Sequence, residues 1–185
     1  MATTADFRNG MTFQMEGEFW KVLEFLHVKP GKGGAFVRTR LRRLSDGAVI
    51  ERTFRAGERI DEVRIVARHM QYLYESNGLY YFMDEETYEQ HPLSAELLED
   101  AIPYLKENMV VKVLWHEERP LWVEVPQFVE LEIEKTDPGV RGDTATGGSK
   151  PAVLETGLTI QVPLFVDVGD VVRVDTTTGE YLTRV

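Results

Sequence analysis

Phe19-Trp20-Lys21-Val22-Leu23-Glu24-Phe25-Leu26, then Pro30-Gly31-Lys32-Gly33-Gly34, then Ala35-Phe36-Val37-Arg38-Thr39-Arg40-Leu41-Arg42-Arg43-Leu44: this stretch decides the fold. The first run is rich in aromatic and aliphatic residues and reads as a strand. In the last run Arg38, Arg40 and Arg42 alternate with Val37, Thr39 and Leu41, which puts the three arginines on one face of a second strand. The Pro-Gly-Lys-Gly-Gly segment between them is turn chemistry. The whole is a hairpin, and a ten-residue arm of it reaches at most about 33 Å. Trp20, Phe25 and Phe36 are expected in the core. Asp46-Gly47 then marks a tight turn before a further strand over Val49–Arg55.

The same short-strand grammar continues outward. From Val66, His69–Glu75 and Leu79–Asp84 flank Asn77-Gly78, a strong hairpin signal. Ser94 is placed to cap a short helix over 95–100, which Pro103 limits. Met109–Trp115 and Leu121–Val125 form another pair. From Phe128, Val129-Glu130-Leu131-Glu132-Ile133-Glu134 alternates strictly, the mark of a half-buried strand. Asp137 to Pro151 follows without apolar periodicity and reads as a long functional loop. Leu158–Val166, Val171–Asp175 and Glu180–Val185 complete the set. The pattern predicts an all-β chain of three small β-barrels, over residues 1–65, 66–128 and 129–185. Few core contacts are expected between the first two blocks and the third.

The chain has 185 residues, no Cys and a formal net charge of -10. The charge is unevenly spread. Residues 1–64 hold 12 Lys+Arg against 9 Asp+Glu, residues 65–127 hold 4 against 12, and residues 128–185 hold 5 against 10. Residues 25–45 contain Lys29, Lys32, Arg38, Arg40, Arg42 and Arg43 and no acid. One end is thus basic and suited to phosphates, while the acidic remainder resists non-specific coating of RNA. The N-terminus lacks the apolar segment of a signal peptide, and no apolar run approaches the ~20 residues of a membrane span. A cytoplasmic chain with no membrane partner is expected.

The tip is the most informative constellation. Its glycines permit positive φ and close approach of a partner backbone, and Lys32 has no local acid to neutralise it. Taken alone, the tip also fits an ordinary solvated turn lysine, and the arginine row also fits a strand face paired to carboxylates. The loop is not a nucleotide-phosphate loop, since Ser or Thr is absent at the required spacing. His116-Glu117-Glu118 and Asp84-Glu85-Glu86 read as solvated turn charges rather than metal sites. His27, His69, His91 and His116 are scattered, and no nucleophile motif accompanies them. No catalytic residue, metal site or cofactor is assigned, and the chain is not expected to be an enzyme.

At the C-terminal end, Lys150-Pro151-Ala152-Val153-Leu154-Glu155-Thr156-Gly157, Val162-Pro163-Leu164-Phe165-Val166, Gly169-Asp170, Val174-Asp175-Thr176 and Gly179-Glu180-Tyr181 closely resemble the signature of the elongation factor P family. Asp137-Pro138-Gly139-Val140-Arg141-Gly142-Asp143-Thr144 resembles that family's third-domain loop. Val28-Lys29-Pro30-Gly31-Lys32-Gly33, with Leu41-Arg42-Arg43-Leu44, resembles its first domain. The resemblance implies an SH3-like barrel and two OB-fold barrels in an L-shaped, tRNA-like arrangement. It implies a monomer that binds both ribosomal subunits between the P and E sites and relieves stalling at consecutive prolines. Lys29, Gly31, Lys32, Gly33, Arg38, Arg40, Arg42 and Arg43 are the implied contacts to P-site peptidyl-tRNA and ribosome. Arg141, Gly142, Asp143 and Thr144 are the implied contacts near the E-site codon of the mRNA. Family members often lengthen the tip residue covalently, so a lysine-modifying enzyme is a further implied partner, and whether Lys32 is modified stays open. A paralogous factor with another stalling specificity and a non-ribosomal RNA-binding β-barrel protein are the alternatives.

Overall fold

The long hairpin at the basic end forms, with a longer first strand than its apolar pattern suggests. The structure is a computed structural model that describes residues 1–139 and 148–185. The first sheet contains β1 (Ala2–Thr3), β2 (Thr12–Met15), β3 (Glu18–Val28), β4 (Phe36–Arg43), β5 (Val49–Arg55) and β6 (Arg59–Glu62), ordered β1-β6-β2-β3-β4-β5. The second contains β7 (Val66–Ser76), β8 (Leu79–Asp84), β9 (Gln90–Ser94), β10 (Val110–His116) and β11 (Arg119–Glu124), ordered β11-β10-β7-β8-β9. The third contains β12 (Phe128–Thr136), β13 (Ser149–Leu154), β14 (Thr159–Pro163), β15 (Val171–Asp175) and β16 (Glu180–Arg184), ordered β14-β13-β12-β15-β16. The sheets are barrel-like, and no α-helix forms among the described residues.

Packing groups the residues into two compact units, one of residues 1–67 with 114–122, the other of residues 68–113 with 123–185. In the first unit the inward faces of β2 to β5 supply Phe13, Val22, Val37, Leu41 and Phe54 to one core, with Phe7 and Trp20. Phe7, Phe13 and Phe54 meet at ring-centroid distances of 5.4–6.2 Å in tilted and edge-on arrangements, the geometry their quadrupoles favour. Trp20 is buried as expected, whereas Phe25 is only partly buried against the same core and Phe36 is half-buried at the start of β4.

In the second unit, Asn77 (φ 52) and Gly78 (φ 80) make the two-residue turn between β7 and β8 that the Asn-Gly pair predicts. Phe82 is fully buried on β8, with its ring 5.3 Å from Tyr72. Truncation Phe82→Ala is expected to cost ~3–5 kcal/mol, measured as a lower urea midpoint with an unchanged slope. The strict alternation of β12 is present, with Val129, Leu131 and Ile133 inward in the third core.

Three expectations are corrected. The helix predicted over 95–100 is a run of turns leading to a 3-10 turn at Ile102–Tyr104. Ser94 still caps it, its Oγ accepting from the Leu97 N–H at 3.3 Å, but the segment before Pro103 is too short to propagate a helix. Asp84 is not a solvated turn charge. It is buried, and its carboxylate accepts from the backbone N–H groups of Glu86 and Thr87 at 2.8 and 3.3 Å, which builds the turn. Contacts between the second block and the third are not sparse. Tyr104 and Met109 pack against the third core, the Thr156 hydroxyl donates to the Pro103 carbonyl, and Lys106 pairs with Glu155 at 3.2 Å.

Candidate nucleic-acid interface

The hairpin of β3 and β4 positions the basic residues. Its register pairs Leu26 with Arg38, Glu24 with Arg40 and Lys21 with Arg42, with an irregularity between Val22 and Glu24 that shifts the pairing by one. Such a bulge bends and twists the arm. On β4, Val37, Thr39 and Leu41 are buried and Arg38, Arg40 and Arg42 exposed, the alternation read from the sequence. Thr39 is held inside by its hydroxyl, which donates to the Arg52 carbonyl at 2.7 Å.

The four arginines are not equivalent. Arg40 pairs with Glu24 at 3.3 Å and lies in register with Glu51 on its other side. Arg43 pairs with Asp46 at 2.9 Å and stacks its guanidinium 5.6 Å from the centre of the Trp20 ring. The Arg43 hydrogen bond, joined by the Ala48 backbone N–H, holds the Asp46 carboxyl below its ordinary range, and the same bond raises Arg43. Arg43 thus braces the Asp46-Gly47 turn. Arg38 and Arg42 are exposed and make no ion pair among the described residues. The two bland alternatives, solvated cations and carboxylate-paired cations, coexist on one strand.

Beyond β3 the chain runs through Lys29, Pro30, Gly31, Lys32, Gly33 and Gly34, all exposed. Gly33 has φ +100, a conformation side chains avoid, and nothing within 4 Å of a Cβ built there. Glycine is therefore required there by the backbone rather than by crowding. Lys29 and Lys32 have no ion pair among the described residues. Lys32 thus ends an arm whose outer face carries two uncommitted guanidinium groups. Leu26, 60% exposed and beside Arg38, adds an apolar contact to that face that charge reading alone did not reveal.

The second predicted set, Arg141, Gly142, Asp143 and Thr144, lies outside the described residues. The flanks of that segment are described and differ from expectation: β13 starts at Ser149, so Lys150 and Pro151 are strand, not loop. Lys150 points inward and is 6% exposed, donating from Nζ to the Asp137 carbonyl. His27, His69, His91 and His116 lie on β3, β7, β9 and β10. Among the described residues no three His, Asp or Glu side chains group to hold a metal, and no helix is long and apolar enough to cross a membrane.

Three family descriptions match in order along the chain: "Elongation factor P (EF-P) KOW-like domain" over residues 3–60, "Elongation factor P (EF-P) OB domain" over 65–123 and "Elongation factor P, C-terminal" over 129–184. Among similar proteins, an elongation factor P of Thermoanaerobacter sp. is 58% identical over 185 residues, all of both chains. One from Moorella thermoacetica is 57% identical over 184 residues, again all of both. Among solved structures, a translation initiation factor 5A family protein from Naegleria fowleri superposes with a TM-score of 0.51 at 15% identity, covering 67% of this chain and 96% of that one; this likeness concerns the fold alone.

Proposed function

The chain belongs to the elongation factor P family and is a translation elongation factor; from that premise we propose that its first barrel binds the acceptor arm of P-site peptidyl-tRNA and that Lys32 steadies the CCA end during peptide-bond formation. The supporting observation is the arm itself, with Lys32 exposed at its glycine-built tip and Arg38 and Arg42 outward on the strand behind it, free of carboxylates among the described residues. Guanidinium groups grip phosphates through charge-assisted hydrogen bonds, and a thin glycine-rich tip enters spaces a globular surface cannot.

In this reading the protein makes and breaks no bond and takes no cofactor. The ribosome supplies the chemistry, and the factor reduces the entropic cost of aligning the reactants. Proline is a poor participant because its ring fixes φ and its amine is secondary. An alignment effect of only ~1.4 kcal/mol on the barrier changes the rate about tenfold. The third barrel, through Arg141, Gly142, Asp143 and Thr144, engages the small subunit near the E-site codon of the mRNA. The protein acts in the cytoplasm as a monomer, and Lys32 is the residue its tip offers to a lysine-modifying enzyme, with modification itself left open.

The test is sedimentation with ribosomes carrying P-site tRNA over a salt series, together with a reconstituted translation reaction on messages with and without three consecutive prolines. Co-sedimentation that weakens with salt, and stimulation confined to the proline message, are expected. Binding to naked RNA with none to ribosomes would replace this reading with that of a free RNA-binding protein. Stimulation at a different stalling sequence would assign it to a paralogous role.

A further inference from the structure

We propose that Lys21, with Arg42 opposite it, forms a pincer for one backbone phosphate of the acceptor arm, distinct from the phosphate held by Arg38. The proposal deepens the reading of the basic strand as an RNA face and rests on it. The outer face of β3, β4 and β5 is ruled into cross-strand rows, because residues directly opposite in antiparallel strands project to the same side. Nearest the base of the hairpin, Lys21 faces Arg42, and Arg42 faces Val49. In the next row Glu24 faces Arg40, and Arg40 faces Glu51. In the row toward the tip Leu26 faces Arg38, and Arg38 faces Thr53. All of these residues are exposed. Lys21 lies outside the acid-free run of 25–45, so only the register brings it to the site.

The rows differ in charge. The first has two cations and no acid, the second one cation between two acids, and the third one cation and no acid. The middle row repels an anion, since Arg40 pairs with Glu24 at 3.3 Å and Glu51 lies on its other side. It divides the face into two anion sites. Arg38 and Arg42 are four residues apart on β4, a separation of about 13 Å, so each site takes a phosphate of its own. Like charges directly opposite on a sheet destabilise the pairing. A phosphate between Lys21 and Arg42 reverses the sign of that interaction, with ammonium and guanidinium donating to it from two sides. With the tip at the CCA end, Arg38 holds the nearer phosphate and the pincer the farther one.

The experiment uses the full chain and measures its affinity for ribosomes carrying P-site tRNA, the salt dependence of that affinity, and the melting temperature. Lys21→Gln is expected to weaken binding about tenfold and to lower the salt slope by close to one. It should melt at or above the parent, because it removes a repulsion. Lys21→Glu sets an opposite charge against Arg42, so it should raise the melting temperature while weakening binding further. Lys21→Arg keeps the charge and should bind like the parent. Lys21→Gln and Arg42→Gln act on one phosphate, so the pair should cost well short of the product of the single losses. Lys21→Gln and Arg38→Gln act on different phosphates, and their losses should multiply. Acceptor arms with single phosphates replaced by neutral methylphosphonates locate the sites. At one position the Lys21→Gln penalty should vanish, and at a position nearer the CCA end the Arg38→Gln penalty should vanish.

Losses from Arg38→Gln and Arg42→Gln with none from Lys21→Gln would overturn the pincer and leave the reading of the arm standing. No loss from any of the three would overturn both. Losses from Lys21→Gln and Arg42→Gln that multiply, or a Lys21→Gln penalty that persists at every methylphosphonate position, would overturn the shared phosphate. A fall in melting temperature with Lys21→Gln that accounts for its lost binding would overturn the pincer in favour of a structural role.

Discussion

The double charge reversal Arg38→Glu with Arg42→Glu is expected to weaken ribosome binding about a hundredfold and to flatten its dependence on salt by about two counterions. These two arginines are exposed on the outer face of β4 and have no ion pair among the described residues, so their charge is available to phosphate. Each lost charge-assisted bond is worth about a factor of ten, and each lost phosphate contact removes close to one unit of the salt slope. Arg40 is a poorer probe although it lies between them. It is already paired with Glu24 and faces Glu51, so reversing it also releases one carboxylate and crowds another. Reversal of Glu99 and Asp100, exposed on the acidic second block, is the control and should leave binding unchanged. Equal affinity of both double variants and the parent, from sedimentation over a salt series, would show that the basic arm does not face RNA.

Lys32→Ala is expected to retain the parent's melting temperature and to bind ribosomes within about threefold of it, yet to lose most stimulation on consecutive prolines. Lys32 is exposed between glycines and touches no core residue, and exposed substitutions of this kind change stability by under ~0.5 kcal/mol. Most of the phosphate contact is assigned to the strand behind the tip, so one lysine contributes a minor share of affinity. In the proposed function its effect falls instead on the placement of the reacting end, where a small misplacement costs rate rather than binding.

Much of the fold was legible because the strands that matter carry clean patterns. β5, β8 and β15 have the predicted bounds, and the Asn77-Gly78 turn forms as its residues require. β1 and β2, which precede the first predicted strand, were missed, and so were three later strands whose apolar pattern is obscured. β6 reads Arg-Ile-Asp-Glu and buries only Ile60; β9 contains Pro92 and buries only Leu93; β13 opens on Lys150 and Pro151, which read as loop. In each, pairing with neighbours supplies what local propensity does not.

The candidate site was legible as a charge pattern and not as a set of partners. The run from 25 to 45 has no acid, yet Arg40 finds Glu24 across the hairpin, a partner that local reading of the run excludes. Arg43 finds Asp46 only because the Asp46-Gly47 turn folds back on it. Lys150 was visible as part of a family signature, but its inward direction depends on the pairing of β13 with β12 and β14 and so belongs to the tertiary structure.

The most direct test of the central claim, that this factor acts by positioning through its tip, is a titration. Full-length yield from a message with three consecutive prolines is measured in a reconstituted system against increasing parent protein and increasing Lys32→Ala protein, with a proline-free message alongside. The account predicts a high plateau for the parent, a plateau near the factor-free level for Lys32→Ala at every concentration, and no response of the proline-free message. Recovery of the parent's plateau by excess Lys32→Ala protein, or coincident curves for the two proteins, would contradict it.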